Sequence, residues 1–258
     1  MLASKELIPS LELLCRKVGA YQLSFFRRNN FSIAHKSSAA DLVTSVDLGS
    51  DQMISAELKR LLPHAAILTE ESGFTSGESS YKWIVDPLDG TNNFAQGIPV
   101  FTISIALHHH DEPFLGVIYN PCLDEFYWAV KGEGAYCNGE RLQVSSKTTL
   151  ATCILATGFP YDKDAHPVNN LNYLAALIPK TRGIRRLGSA AYDLCLTARG
   201  NFDGYWELNL QIWDIAAGVL LVSEAGGTVN SFRTDRSYSI VAAAPCISEL
   251  LLKELAQI

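Results

Sequence analysis

The stretch Trp83-Ile84-Val85-Asp86-Pro87-Leu88-Asp89-Gly90-Thr91-Asn92-Asn93-Phe94 constrains this chain more than any other. Its apolar start, Trp83 to Val85, reads as a short buried strand. Pro87 fixes φ and removes a backbone donor, which predicts that the strand ladder stops there. Asp86 and Asp89 are then expected to project from one tight turn at a strand end, with the Leu88 carbonyl between them. Gly90 lets backbone N–H groups approach a ligand closely, and Thr91 adds a hydroxyl. Hard oxygen donors beside a glycine and a threonine suit Mg²⁺ and a phosphate together.

Asp, Pro and Gly also make ordinary turns, but the surrounding charge favours a cation. Between Arg60 and Lys131 the only Lys or Arg is Lys82, whereas that span carries Glu70, Glu71, Glu78, Asp86, Asp89, Asp111, Glu112, Asp124 and Glu125. Carboxylates gathered without basic partners must be exposed, protonated or bound to cations. Glu70-Glu71 follows the apolar Ala65-Ala66-Ile67-Leu68, so a second acidic strand end is expected beside the first.

A chain of 258 residues, 48% hydrophobic, can bury a large core as one domain or two packed halves. A net charge of −6 argues against general binding to nucleic acid or anionic membranes. No apolar run approaches the ~20 residues of a membrane span, and the N-terminus does not read as a signal peptide. The six cysteines are dispersed, which is free-thiol usage and predicts a cytoplasmic location.

Leu7, Leu11, Leu14, Val18, Tyr21 and Phe25 predict a long amphipathic first helix. A second, marked by Ile54, Leu58 and Leu61, follows Asp41 and Asp47, either of which alone reads as a capping or first-turn acid. Strands are expected over Phe101–Leu107, Phe114–Tyr119, Glu125–Val130 and Ala135–Val144. His108-His109-His110 cannot all ligate one ion, because consecutive strand residues face opposite ways; it reads as a solvated hairpin tip. Further on, strands are expected at Cys153–Thr157, Ile184–Leu187 and Gly204–Leu208. Helices are expected at 168–178, at 190–198 with Ser189 as N-cap, and from an N-capping Asp214 to Glu224. Arg182, Arg185 and Arg186 read as a solvated patch. The composition shift near 144–149 suggests halves 1–145 and 146–258.

Several nucleotide and hydrolase signatures are absent: the P-loop, the Gly-x-Gly-x-x-Gly fingerprint, His-Glu-x-x-His and Gly-x-Ser-x-Gly. The spacings of thiol phosphatases and of Asp-x-Asp phosphatases are not met either. No covalent nucleophile is indicated.

Three motifs in order, Glu70-Glu71-Ser72, Asp86 to Phe94, and Trp213-Asp214-Ile215-Ala216-Ala217-Gly218, resemble those of the inositol monophosphatase family of metal-dependent, lithium-sensitive phosphatases. Lys36, Asp41-Leu42-Val43-Thr44-x-x-Asp47 and Gly188-Ser189-Ala190-Ala191 fit its other segments. The resemblance implies a mixed α and β fold, a layered α-β-α-β-α sandwich of the inositol monophosphatase and fructose-1,6-bisphosphatase type, and a homodimer. The N-terminal half would carry most metal ligands, and the C-terminal half the substrate contacts and Asp214.

The resemblance further implies that Glu70, Asp86 and the Leu88 carbonyl hold one Mg²⁺, and that Asp86, Asp89 and Asp214 hold a second. A third, weaker ion would rest on Glu70 and water, and Mn²⁺ could substitute. Asp47 and Thr91 would orient and deprotonate the attacking water, with Glu70 completing the catalytic group. Gly90 and Thr91 amides would hold the phosphate, while Ala190 and Glu207 would contact substrate hydroxyls. Asn92-Asn93 after Gly-Thr favours inositol monophosphate or a similar small polyol phosphate. Histidinol phosphate, fructose 1,6-bisphosphate and 3′-phosphoadenosine 5′-phosphate are the alternatives, with a non-catalytic metal- or phosphate-binding regulator as the rival from another class. Gln96 and Thr69 depart from the commoner family pattern without removing a ligand.

Overall fold

A computed structural model describes residues 4–28, 31–35 and 42–258. Lys36, Asp41 and the loop between them lie outside these residues. The chain begins α1 (Ser4–Phe25), β1 (Ile33–His35), β2 (Leu42–Thr44), α2 (Ser45–Leu61), β3 (Ala66–Thr69), β4 (Gly73–Thr75), β5 (Tyr81–Asp89) and α3 (Thr91–Ala95). Five strands follow: β6 (Thr102–His109), β7 (Glu112–Asn120), β8 (Glu125–Val130), β9 (Gly134–Cys137) and β10 (Glu140–Arg141). After residue 150 come β11 (Ile154–Thr157), α4 (Leu171–Leu177), β12 (Gly183–Arg185) and α5 (Ala190–Ala198). The chain closes with β13 (Gly204–Leu210), α6 (Ile212–Glu224), β14 (Thr228–Ser231), β15 (Tyr238–Ala243) and α7 (Pro245–Leu255).

These elements stack in five layers. On the outside, α1 and α2 bury Leu7, Leu11, Leu14, Val18, Ile54 and Leu58 against one face of the large sheet. That sheet has eight strands in the order β10-β9-β8-β7-β6-β5-β3-β4. Its other face meets the central layer, α5 and α6, which also packs on the second sheet. The second sheet has five strands, ordered β12-β11-β13-β15-β14. Cys153, Trp206, Val241, Ile247 and Leu251 join its far face to α4 and α7. The expected α-β-α-β-α sandwich is the observed architecture.

A helix between two sheets must be apolar all round, and α6 buries Ile215, Ala216, Ala217, Gly218, Leu220, Leu221 and Val222. Small residues set its distance from the large sheet. A Cβ on Gly116 of β7 would stand 2.9 Å from the Ala217 Cα, inside van der Waals contact. Gly116→Val therefore forces helix and sheet apart and is expected to cost about 3 kcal/mol by overpacking. Equilibrium denaturation checks this, and an unchanged midpoint would refute the close approach.

Three local expectations need correction. Pro87 does not end its strand: β5 runs to Asp89, and its pairing with β6 shifts register between Asp86 and Asp89. The extra residues form a bulge, which tolerates a proline and re-aims side chains without terminating the sheet. His108 is not solvated but 7% exposed, and its buried Nε2 has no hydrogen-bond partner among the described residues. The hairpin tip is His110-Asp111, with φ of 50° and 64°, the pair of positive values that a tight two-residue turn requires. Finally, the N-cap of α6 is Gln211, and Asp214 is the third helical residue.

Candidate active site

The bulge in β5 places Asp86 and Asp89 on one wall of a cavity of about 460 Å³ between the large sheet and the C-terminal elements. Glu70, Leu88, Gly90, Thr91, Ala190, Glu207 and Asp214 line the same cavity. Asp47 lies just behind it, 1% exposed. Every candidate metal, catalytic and substrate residue among the described residues thus falls in one neighbourhood.

Asp86 is buried, and its Oδ1 accepts the Leu88 amide at 3.0 Å, which holds the carboxylate along the bulge. Asp89 reaches across the molecule: its Oδ2 accepts the Ser189 hydroxyl at 2.6 Å and the Ala191 amide at 2.8 Å. The Ala190 amide also acts on Asp89, so the start of α5 grips this carboxylate. Asp214 closes a capping box, with Oδ2 accepting the Gln211 amide at 2.7 Å. Asp47 makes the equivalent box at the start of α2, accepting from the Thr44 amide at 2.9 Å and from the Thr44 hydroxyl. Its other oxygen accepts the Thr91 hydroxyl at 2.8 Å. Two of the site acids are therefore fixed by helix ends.

These carboxyls resist ionisation together. Burial first, then the charges of Glu70, Asp89 and Asp214, raise Asp86 well above the usual carboxylate range. Burial and Asp89 do the same to Asp214. Asp89 is pushed up to about 6 by burial, against the hydrogen bonds that stabilise its charge. Burial also raises Asp47, opposed by its Thr44 and Thr91 hydrogen bonds.

The donor set fits a hard divalent cation: carboxylate oxygens, a backbone carbonyl, and among the described residues no Lys or Arg ion-paired with Asp86, Asp89 or Asp214. No three described His, Cys, Asp or Glu side chains already stand as a closed cage. Each of these three carboxylates has one oxygen already held by hydrogen bonds, Asp86 and Asp214 within their own segments and Asp89 by the start of α5. A cation must draw in the remaining oxygens by side-chain rotation.

The charge argument from sequence was broader than the outcome. Asp111, Glu112, Asp124 and Glu125 all pair with cations, namely Lys82, Lys131, Arg16 and Arg199. Only Glu70, Asp86 and Asp89 of that acidic span reach the cavity.

Supports that sequence patterns did not reveal come from α1 and α2. The buried Gln22 side chain donates to the Pro87 carbonyl at 2.8 Å and so anchors the bulge from beneath. Asp51 accepts the Ser72 hydroxyl and fixes the turn after Glu70-Glu71. Asn93 donates to the carbonyls of Val100 and Leu187, both at 2.8 Å, and ties α3 to the segment before α5. Lone polar residues carry no spacing signal, and only the tertiary contact reveals them. Glu207 stands on β13, where Tyr205 donates to it at 2.7 Å and burial pushes it up to about 7. Gly158 leaves room for its carboxylate, which any Cβ there would strike. Arg186 is exposed, as expected, and also belongs to the cavity lining.

Comparison with known proteins agrees with this geometry. Residues 4–258 match the family described as the inositol monophosphatase family. The chain is 43% identical to an inositol-1-monophosphatase of Mesorhizobium japonicum over 218 residues, covering 83% of this chain and 82% of that one. It is 40% identical to a protein of Pasteurella multocida named Nus factor SuhB over 245 residues, covering 93% and 92%. The extragenic suppressor protein suhB of Bartonella henselae superposes with a TM-score of 0.91 at 37% identity, covering 97% of this chain and 98% of that one.

Proposed function

The chain belongs to the inositol monophosphatase family, whose members are generally metal-dependent phosphatases, and on that premise we propose that it hydrolyses a small polyol monophosphate of the inositol monophosphate type. The observation that carries this reading is the gathering of Glu70, Asp86, Leu88, Asp89 and Asp214 around one cavity, with the Asp47–Thr91 pair at its edge.

In this reading Glu70, Asp86 and the Leu88 carbonyl would hold one Mg²⁺, and Asp86, Asp89 and Asp214 would hold another. Bound there, Mg²⁺ lowers the pKa of water and offsets the charge that builds on the phosphoryl oxygens. The protein's own groups do the rest. Asp47 accepts the Thr91 hydroxyl proton, which leaves the Thr91 oxygen lone pairs aimed at a water and passes the general-base role to the pair. Gly90 and Thr91 present amides to the phosphate, and Glu207 receives substrate hydroxyls. The motifs indicate no covalent nucleophile, and this reading therefore makes the reaction a direct transfer to water.

The test is phosphate release with Mg²⁺ from inositol 1-phosphate, histidinol phosphate, fructose 1,6-bisphosphate and 3′-phosphoadenosine 5′-phosphate. A preference for inositol 1-phosphate is expected; a preference for another member would reassign the substrate. The same proposal makes the working unit a homodimer in the cytoplasm. Light scattering that returns the mass of a single 28.3 kDa chain would reject the dimer. Among the described residues no helix is long and apolar enough to cross a membrane, and all six cysteines are free.

A second reading rests on the relatives named Nus factor, a name for a role and not for a hydrolysis. It gives this chain the role of a Nus factor. It predicts that the role persists in variants without turnover.

A further inference from the structure

Beyond the candidate metal ligands, the cavity has a second wall on which Glu207 already carries the proposed hydroxyl contact, while its neighbour Asp193 has no assigned task. Asp193 stands on α5, within the cavity lining, and is 1% exposed. Its Oδ1 is buried without a hydrogen-bond partner among the described residues. Glu207 lines the same cavity; burial first, then the charges of Glu207 and Asp89, raise the Asp193 carboxyl well above the usual carboxylate range, against the pull of Arg186. Arg186 is exposed, folds over Gly188, and forms no hydrogen bond or ion pair among the described residues.

A buried carboxylate oxygen without a donor is costly to keep. The neighbours do not explain it: the Asp193 amide and carbonyl are used inside α5, by the Ser189 carbonyl and the Thr197 hydroxyl. Nothing in the helix or the core receives the side chain. It is an acceptor that lacks a donor, and it points to a ligand that carries one.

A hydroxyl both donates and accepts, so one such group pairs with Glu207 or with the Asp193 carboxyl alike. We infer that Asp193 is a specificity-determining residue that, with Glu207, hydrogen-bonds hydroxyls on the face of the substrate away from its phosphate. This rests on the phosphatase reading above and narrows it to polyol phosphates with free hydroxyls on that face. A site built to receive a hydroxyl discriminates strongly against a substrate that lacks one, because its own polar groups are then left unpaired.

The experiment compares inositol 1-phosphate with p-nitrophenyl phosphate, which has no hydroxyls, in the wild type, Asp193→Ala and Asp193→Asn, with Mg²⁺ present. Asp193→Ala is expected to raise KM for inositol 1-phosphate about tenfold or more, the loss of a hydrogen bond to a charged group, and to leave p-nitrophenyl phosphate hydrolysis unchanged. Asp193→Asn keeps an acceptor and should recover part of the loss. Neither variant should melt below the wild type, because each removes an unpaired buried carboxylate. Equal losses on both substrates, or a lowered melting temperature in both Asp193 variants, would assign Asp193 to structure and overturn the inference. A wild type that prefers p-nitrophenyl phosphate to every polyol phosphate would overturn the parent reading and this one with it.

Discussion

Asp86→Asn is expected to lower kcat/KM by a factor of about 10³ or more, the loss of several kcal/mol of charge stabilisation in the transition state, while the metal-free protein becomes more stable. Both halves follow from one fact. Asp86 is 2% exposed and surrounded by Glu70, Asp89 and Asp214, each of which disfavours its charge. Asparagine keeps the oxygen that accepts the Leu88 amide and removes the repulsion. The sign in pH agrees. Asp86, Asp89 and Asp214 have folded-state pKa values above their unfolded ones, so the folded chain binds more protons. Without metal, stability is then highest at low pH and falls as pH rises from the ordinary carboxylate range through about 6, the value to which Asp89 is pushed. Thermal melts with and without Mg²⁺ at neutral pH check the set. The wild type should gain stability from the ion and the variant much less. A wild type indifferent to Mg²⁺, or an active Asp86→Asn variant, would sink the metal assignment.

Asp47→Asn should produce the second large effect, a fall of about 10²-fold to 10⁴-fold in kcat with little change in KM. The Thr91 hydroxyl hydrogen bonds to Asp47 at 2.8 Å and to the Leu88 carbonyl at 3.1 Å, so its proton is directed away from the cavity and its oxygen toward it. A neutral amide at position 47 weakens that polarisation. Thr91→Ala removes the same oxygen, so the double variant should be scarcely worse than either single one, as for groups that act as a unit. Additive losses would show that the two residues act separately. Asp47 also completes the capping box of α2, but burial outweighs the hydrogen bonds that favour its charge, so the neutral asparagine, which keeps an accepting oxygen, should not lower stability at neutral pH. A melt measured alongside the kinetics checks that the loss is catalytic and not structural.

How much of this was legible in the sequence depends on the range of the interaction. Helices with a strong apolar period, α1 and α5, lie where the spacing puts them, because local burial decides them. The acids at 70, 86, 89 and 214 could be named in advance because a motif ties them to nearby glycines and hydrophobic runs. Proline at 87 misled, since its local chemistry says stop while the pairing with β6 absorbs it as a bulge. His108 misled for a related reason: polar neighbours in sequence became partly buried neighbours in the sheet. Asp214 was displaced by three positions from the cap because Gln211, a weak capping residue on its own, is completed by the aspartate. Gln22 and Asp51 act only through tertiary contact, and Asp193 only through the cavity that the fold assembles around it, so no pattern along the chain marks them.

The bond from Ser189 to Asp89 spans 100 residues. During synthesis at roughly 5–20 residues per second, the acids of β5 leave the ribosome on the order of 5–20 seconds before the start of α5 that aims one of them. A truncated product therefore holds the carboxylates without their alignment, and hydrolytic competence becomes a mark of finished translation.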